Sequence, residues 1–366
     1  MTSLLVSERP PADVAMPVEA LETPCVIIDE AVATRNIQRM QDYCDNHGLT
    51  LRPHIKTHKL PHFAHRQMEA GAVGITCQKL SEAEAMADAG ISDILITYNI
   101  LGAAKLDRLR RLRERVPHLA VTADNAVVIE GLSRIFSEDR NPLPVLIECE
   151  TGTRRCGAVS PHEAADLAAL VSESPGLAFR GLMTYPPAGG GTTVATFMAA
   201  AKELLAGRGI PCPVVSSGGS PDMWSHHTVP GVTEVRIGTY LYNDRSLVDR
   251  GICGWDDCAL RVRATIVSAP APGRAVIDAG SKTLTSDLQG QEGFGHVLGQ
   301  DDVRITKLNE EHGRLEWPDG SRFTIGQTVD IVPNHACVVS NMMDVVWLSD
   351  GIMARPMTIV SRGGVT

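Results

Sequence analysis

The chain has 366 residues, a formal net charge of −9, 43% hydrophobic and 21% charged residues, so disordered and fibrous proteins are excluded. It has no basic run and no apolar stretch long enough to span a bilayer, so neither nucleic acid nor membrane is expected as a partner. The first 22 residues lack the apolar block of a signal peptide, and the 9 cysteines show no paired framework. We therefore expect a soluble cytoplasmic protein, and an enzyme fits best.

Between residues 51 and 237, short aliphatic runs alternate with longer amphipathic stretches. The short runs predict strands at residues 51–56, 73–77, 94–98, 119–123, 145–149, 179–185, 214–217 and 234–237. The longer stretches predict helices at residues 61–70, 81–89, 103–115, 126–136, 161–171 and 193–207. This alternation favours an α/β fold with a closed (β/α)8 barrel of the TIM type, and an open doubly wound sheet is the alternative.

Beyond about residue 244, short strand-like runs follow one another with glycine turns and without convincing helices. These runs lie at residues 260–268, 274–278, 303–308, 315–316, 327–331 and 345–349. Such a series predicts an antiparallel β domain. We therefore expect the barrel at residues 25–243, and the β domain at residues 1–24 and 244–366.

A lysine-rich and histidine-rich motif, Arg-Pro-His-Ile-Lys-Thr-His-Lys, ends the first predicted barrel strand at residues 52–59. Active sites of (β/α)8 barrels gather at the C-terminal ends of the strands. A lysine in that place is partly desolvated and can act as a nucleophile toward a carbonyl group. Lys56 is therefore a candidate catalytic residue, and a surface turn is the alternative.

Two glycine turns at later strand ends suit an anion. The Ser/Gly turn at residues 215–220 precedes a short helical stretch, where successive backbone N–H groups form an anion site. Residues 234–240 end the last barrel strand, and loops after strands seven and eight are favoured phosphate positions. Together the turns predict a phosphate-bearing ligand. A third turn carries Arg154 and Arg155, which suit a cofactor ring or a carboxylate unless the turn is only structural.

The β domain carries a histidine and a cysteine two residues apart, in the motif PNHAC at residues 333–337. On a strand these side chains share one face, so His335 and Cys337 can ligate one metal, and imidazole with thiolate favours zinc. Two protein ligands leave positions open for water or substrate, which is typical of a catalytic site. The alternative is a buried cysteine next to an unrelated turn histidine.

These motifs together resemble the D-threonine aldolase and eukaryotic-type D-serine dehydratase family, which is related to alanine racemases of fold type III and uses pyridoxal 5′-phosphate. The resemblance runs from residue 23 to residue 351. It rests on RPHIKTHK at 52–59, TGTRRCG at 151–157, SSGGS at 216–220, EVRIGTYLYND at 234–244, DAGSK at 278–282, EEHG at 310–313 and PNHAC at 333–337.

The resemblance implies a role for each candidate residue. Lys56 holds pyridoxal 5′-phosphate, and His335 with Cys337 binds a divalent metal, which is zinc, manganese or magnesium. Arg155 lies near the cofactor. Two further residues face its ring: Arg236 matches the position that faces the pyridine nitrogen in alanine racemases, and Tyr185 lies at a strand end. The phosphate is held by Ser217, Gly218, Gly219, Ser220, Gly238 and Thr239.

The implied activity is that of a lyase for D-β-hydroxy amino acids, and first of all a D-threonine-type aldolase that releases glycine and an aldehyde. A metal suits substrates with a β-hydroxyl group, which a Lewis acid can polarise. The turn at 216–220 and Cys337 depart from common aldolase sequences, and dehydratases have cysteine at the latter place. A D-serine or D-3-hydroxyaspartate dehydratase is the alternative, followed by an amino-acid racemase and a non-catalytic cofactor carrier. A homodimer and a small D-amino acid as substrate are implied as well.

Overall fold

A computed structural model describes residues 14–366, and the chain divides into two compact units. One unit, here the β unit, takes the described residues up to Asn36 together with Leu241–Arg362. The other, the barrel unit, takes Ile37–Tyr240 and Gly363–Thr366. Residues 1–13 of the predicted β domain lie outside the described residues.

The strands and helices are as follows in chain order. The strands are β1 (Met16–Pro17), β2 (Cys25–Asp29), β3 (Thr50–Leu51), β4 (Ile75–Cys77), β5 (Asp93–Ile96), β6 (His118–Ala123), β7 (Leu143–Cys149), β8 (Leu177–Thr184), β9 (Val214–Ser217), β10 (Glu234–Val235), β11 (Leu260–Ala271), β12 (Arg274–Ile277), β13 (His296–Val297), β14 (Arg304–Leu308), β15 (Gly313–Glu316), β16 (Thr328–Val332), β17 (Val345–Ser349) and β18 (Met353–Thr358). The α-helices are α1 (Glu30–Asn46), α2 (Pro61–Glu69), α3 (Leu80–Asp88), α4 (Ala103–Arg115), α5 (Ala126–Phe136), α6 (Pro161–Glu173), α7 (Gly191–Gly207), α8 (Arg245–Val248), α9 (Ser281–Leu284) and α10 (Ala336–Met342).

Strands β3 to β10 form one parallel sheet in the order β3-β10-β9-β8-β7-β6-β5-β4. The sheet closes between β3 and β4, because the N–H of Val73 donates to the carbonyl of Leu51 and the N–H of Thr76 to that of Pro53. Each predicted barrel strand and helix has a counterpart in the structure, although the first strand is Thr50–Leu51 and not residues 51–56, because the backbone turns into a 3-10 helix at Ile55–Thr57. The predicted (β/α)8 barrel is therefore confirmed.

The helices around the barrel begin where their sequences offer a cap. The side chain of Asn125 accepts a hydrogen bond from the N–H of Val128 at 3.0 Å, and that of Ser160 accepts from Glu163 at 3.2 Å. These caps satisfy N–H groups that the first turn of a helix leaves without partners. Within residues 14–366, no helix is both long and apolar enough to cross a bilayer.

The β unit contains a closed antiparallel barrel. Its ring runs β11-β12-β15-β14-β13-β16 and returns to β11, which pairs with both β12 and β16. The predicted antiparallel β domain is therefore confirmed, although β2 and β17 add one parallel pair beside it. Strand β2 pairs with β11, so residues 25–36 belong to the β unit and not to the barrel that was predicted to begin at residue 25.

Candidate active site

Lys56 lies just beyond β3, in a short 3-10 turn at the C-terminal mouth of the barrel. His54 holds this turn, since its Nδ1 accepts a hydrogen bond from the backbone N–H of Lys56 at 3.3 Å. Nε2 of the same ring lies 3.2 Å from Oε1 of Gln78, whose Nε2 donates to the carbonyl of Thr97. Burial and the charge of Lys56 hold the pKa of His54 well below its usual value. His54 is thus neutral and carries its proton on Nε2.

Two cations lie over the ring of Tyr185, which directly follows β8. Nζ of Lys56 is 5.8 Å from the ring centroid, and the guanidinium carbon of Arg155 is 5.0 Å from it. Cations are attracted to the face of an aromatic ring at such distances. The structure therefore brings together Lys56, Arg155 and Tyr185, which the sequence analysis singled out separately.

Two carboxylates that the sequence analysis missed hold the loop that carries Arg155. Oε2 of Glu150 accepts the backbone N–H of Arg155 at 3.0 Å, and Oδ2 of Asp124 accepts that of Gly157 at 2.9 Å. A third carboxylate, Glu148, is 4% exposed and lies 3.6 Å from Nη2 of Arg155. The position of Asp124 at the end of β6 was the signal that could have identified it, because carboxylates at strand ends face the barrel mouth.

Arg236 is buried beside the group formed by Lys56, Arg155 and Tyr185. Its Nη1 donates to Oγ of Ser216 at 2.7 Å and its Nη2 to the carbonyl of Thr184 at 2.8 Å. Burial lowers the pKa of Arg236 to about 10, so the side chain still carries its charge at neutral pH. A Cβ atom at Gly218 would lie 3.2 Å from Nη2 of Arg236 and 3.2 Å from Cδ2 of Tyr185. The absence of a side chain at Gly218 therefore keeps the space beside both residues open.

The two glycine turns offer a cradle for an anion. Among residues 14–366, no backbone carbonyl accepts the N–H of Gly218, Gly219 or Gly238. Gly238 also packs tightly on the turn of Lys56, because a Cβ atom there would lie 2.7 Å from the carbonyl oxygen of His54. The other predicted phosphate residues flank these glycines: Ser217 ends β9, and Ser220 and Thr239 each begin a 3-10 turn. Lysine, aromatic ring, guanidinium and open N–H groups are the set that pyridoxal 5′-phosphate requires, so the site fits that cofactor.

His335 and Cys337 lie at the start of α10, so the prediction that they share a strand is wrong. Strand β16 ends at Val332, His335 occupies the N-cap position, and Cys337 belongs to the first helical turn. The helix starts there because the buried carboxylate of Asp244 accepts the N–H of Ala336 at 3.1 Å. Cys337 nevertheless lies close enough to the imidazole of His335 to raise its pKa. One nitrogen and one sulfur donor therefore lie side by side, which suits zinc.

Asp287 is a further residue of this group that the sequence analysis missed. Its Oδ2 lies 2.6 Å from Nδ1 of His335. Burial alone would lower the pKa of His335, but Cys337 and Asp287 together raise it to about 10. Within the described part of the chain, no group of three or more His, Cys, Asp and Glu side chains is arranged to hold a metal ion. A metal at this place would thus rely on His335 and Cys337, with Asp287 behind the histidine.

The barrel with its lysine at the mouth and the attached antiparallel barrel define the alanine racemase-like class of proteins. Residues 28–246 match the model of the family described as "Alanine racemase, N-terminal domain", and residues 259–348 match that of a serine dehydratase domain. The chain is 32% identical to a D-threonine aldolase of Arthrobacter sp., over 97% of this chain and 96% of the relative. The chain therefore belongs to the alanine racemase-like family that includes the D-threonine aldolases, and the family resemblance drawn from its sequence motifs is confirmed.

Two solved structures of similar proteins agree with this assignment. The D-threonine aldolase from Filomicrobium marinum superimposes with a TM-score of 0.87 and 31% identity, over 97% of this chain and 100% of that one. The D-threo-3-hydroxyaspartate dehydratase from Delftia sp. HT23 has a TM-score of 0.85 and 30% identity, over 93% and 98%. A cysteine-to-alanine variant of a dehydratase with the same name was solved in a metal-free form.

Proposed function

We propose that this protein is a lyase that depends on pyridoxal 5′-phosphate and a divalent metal, and that it cleaves D-threonine-type amino acids into glycine and an aldehyde. The observation that carries the proposal is the group of Lys56, Arg155 and Tyr185, with Lys56 and Arg155 both over one tyrosine ring. The buried Arg236 and the open N–H groups of the glycine turns complete it. The names of the relatives support substrates of the D-hydroxy amino acid class.

Each residue at the barrel mouth then has a defined task. Lys56 binds the cofactor through Nζ, and the N–H groups of the two glycine turns hold its phosphate. Arg155, Arg236 and Tyr185 would hold and orient the cofactor ring by their charge and their aromatic surface. When bound, pyridoxal 5′-phosphate withdraws electrons from the α-carbon of an amino acid, which is the chemistry that a bond cleavage there requires.

His335 and Cys337 hold the proposed metal, because they lie two residues apart at the start of α10 and imidazole with thiolate suits zinc. A divalent ion supplies a Lewis acid that can polarise a hydroxyl group.

A dehydratase is the second candidate, because residues 259–348 match a serine dehydratase domain. The family resemblance also implies a cysteine at the position of Cys337 in dehydratases. Incubation of the metal-loaded holoenzyme with D-threonine, D-serine and D-3-hydroxyaspartate, followed by mass analysis, separates the candidates. An aldolase releases glycine and an aldehyde, whereas a dehydratase releases a 2-oxo acid and ammonia.

We expect the same assay to distinguish the two enantiomers. The L-forms should react at least about 100-fold more slowly, since a site that fixes the α-amino acid at several points rejects its mirror image. Equal consumption of D-threonine and L-threonine would contradict the proposal and favour a racemase. A protein that binds the cofactor and consumes none of the substrates would instead be a carrier.

The proposal includes a homodimer in the cytoplasm, as the family resemblance implies. Light scattering on a gel-filtration column measures the assembly directly, and we expect twice the mass of one chain. The mass of a single chain across the working concentration range would contradict the dimer without affecting the proposed chemistry.

Replacement of Asp287 by asparagine is expected to lower the affinity for zinc about 10- to 100-fold. The reason is that the carboxylate lies 2.6 Å from Nδ1 of His335, where it accepts the ring proton and leaves Nε2 free to bind the metal. Competition with a chromophoric chelator measures this affinity without any assay of turnover. Asp302→Asn is the matched control, because Asp302 pairs with Arg322 on the surface of the same unit. Equal zinc affinities of the Asp287→Asn and wild-type proteins would show that Asp287 does not orient the ligand.

A further inference from the structure

Four charged side chains and one serine form a continuous hydrogen-bonded chain through the interior of the barrel unit. Arg236 donates from Nη1 to Oγ of Ser216 at 2.7 Å, and the Ser216 hydroxyl donates to Oε1 of Glu234 at 2.6 Å. Oε2 of Glu234 accepts from Nε of Arg52 at 2.9 Å, and Arg52 also pairs with Asp93. Ser216 thus accepts from one neighbour and donates to the other, which a hydroxyl group can do and a methyl group cannot.

Most of this hydrogen-bonded network is buried, with Asp93 half-buried at its end, and its charges balance. Arg52, Glu234 and Arg236 are 2%, 3% and 6% exposed, and the two guanidinium groups are matched by two carboxylates. Burial alone raises the pKa of Glu234, but Arg52 and the Ser216 hydroxyl lower it below its usual value, so Glu234 is ionised. A buried charge that loses its partner is strongly destabilising, so each member depends on its neighbours.

The register of the sheet explains why these side chains meet. Ser216 on β9 and Glu234 on β10 are direct partners in the parallel pairing. Arg236 directly follows β10, and its N–H still donates to the carbonyl of Ser217. Side chains two residues apart in extended backbone share one face, so Arg236 lies on the same side as Glu234. The hydrogen-bonded network therefore runs in the direction of β10, from the interior of the barrel toward its C-terminal mouth.

At the mouth of the barrel, this hydrogen-bonded network ends at Arg236, beside the space that the proposed cofactor would fill. The bond from Nη2 of Arg236 to the carbonyl of Thr184 fixes the plane of the guanidinium group. A Cβ atom at Gly218 would lie 3.2 Å from this Nη2 and also 3.2 Å from the ring of Tyr185. The guanidinium group and the tyrosine ring thus border the same opening.

We infer that Ser216 and Glu234 are positioning residues that hold Arg236 charged and oriented toward the cofactor ring. The inference rests on the proposed function, because that function supplies the cofactor that Arg236 faces. Ser216 is the link that can be tested most cleanly. Its loss removes one hydrogen bond from Arg236 and one from Glu234, but Glu234 keeps its pairing with Arg52.

The experiment compares Ser216→Ala with Ser216→Thr, which keeps the hydroxyl, in the cofactor-loaded enzyme. For Ser216→Ala we expect kcat to fall about 10- to 100-fold while KM stays within about threefold, since one hydrogen bond to a charged group is lost. The pH midpoint of the visible absorbance of the bound cofactor should shift by at least about half a unit, because the charge beside the ring is no longer fixed. Ser216→Thr should stay within about threefold of the wild type in kcat.

Ser349→Ala is the matched control, since Ser349 is 3% exposed and its hydroxyl accepts the N–H of Gly351 in the β unit. Ser349→Ala should leave the visible absorbance of the bound cofactor, the pH midpoint of that absorbance and kcat unchanged. A Ser216→Ala protein with the wild-type pH midpoint and kcat overturns the inference, as does an equal loss of kcat in Ser349→Ala.

Glu234→Gln is the second variant, and if it folds it should shift the pH midpoint of the cofactor absorbance in the same direction as Ser216→Ala. A wild-type protein that binds no cofactor would instead contradict the proposed function, and this is seen before any variant is compared.

Discussion

Replacement of Lys56 by alanine is expected to remove covalently bound pyridoxal 5′-phosphate and to reduce turnover about a thousand-fold or more. Lys56 is the lysine placed over Tyr185 at the barrel mouth, and its turn packs on Gly238 at the proposed phosphate cradle. Borohydride reduction followed by peptide mass spectrometry measures the bond directly. The wild-type protein should carry the reduced cofactor on the peptide that contains Lys56, and the variant should carry none.

Lys282→Ala is the matched control for this experiment. Lys282 is an exposed lysine of the β unit, and its Nζ pairs with Oε1 of Glu311 at 2.5 Å. This variant should keep both the label and the turnover. A Lys56→Ala protein that is still labelled at one specific lysine would refute the assignment.

Replacement of His335 by alanine is expected to reduce turnover of β-hydroxy amino acids about a thousand-fold while the cofactor absorbance stays intact. The reason is that His335 belongs to the β unit, whereas Lys56 and the glycine turns belong to the barrel unit. Treatment of the wild-type enzyme with a chelator should give the same loss, and added zinc should restore activity. Full activity after complete removal of the metal would refute the proposed metal site.

A change of ligand type at the same position tests the identity of the metal. Cys337→Asp should retain some activity and shift the preference from zinc toward manganese or magnesium, because a carboxylate is a harder ligand than a thiolate. His296→Ala is the control in the same unit, since His296 stacks on Trp255 at 3.9 Å and lies outside the proposed ligand pair. An unchanged metal preference in Cys337→Asp would mean that Cys337 does not bind the ion.

Much of the barrel could be predicted because its signals are local. A strand that is buried on both sides reads as a short aliphatic run, and residues 214–217 form strand β9 as predicted. The helix at Ala103–Arg115 likewise begins and ends where its periodic pattern does. Lys56 was identifiable for the same reason, since its position at a strand end follows from the order of elements along the chain.

Tertiary structure decided the features that depend on partners far away in the chain. Strand β2 joins the β unit by pairing with β11, about 230 residues later, and nothing in its five residues specifies that partner. His335 begins a helix instead of lying on a strand because the carboxylate of Asp244 accepts the N–H of Ala336. Asp287 reaches the ring of His335 only through the folded loop between them.

By itself, the sequence determined the class of fold and pointed to Lys56, the two glycine turns and the histidine–cysteine pair as candidates, because periodicity, glycine spacing and residue chemistry are properties of short segments. The carboxylates behind Arg155 and His335, and the chain from Arg236 through Ser216 to Glu234, were decided only by the tertiary structure. Hydrogen bonds between side chains depend on which residues lie close together in the folded protein. Single polar residues form no periodic pattern in the sequence from which such bonds could be predicted.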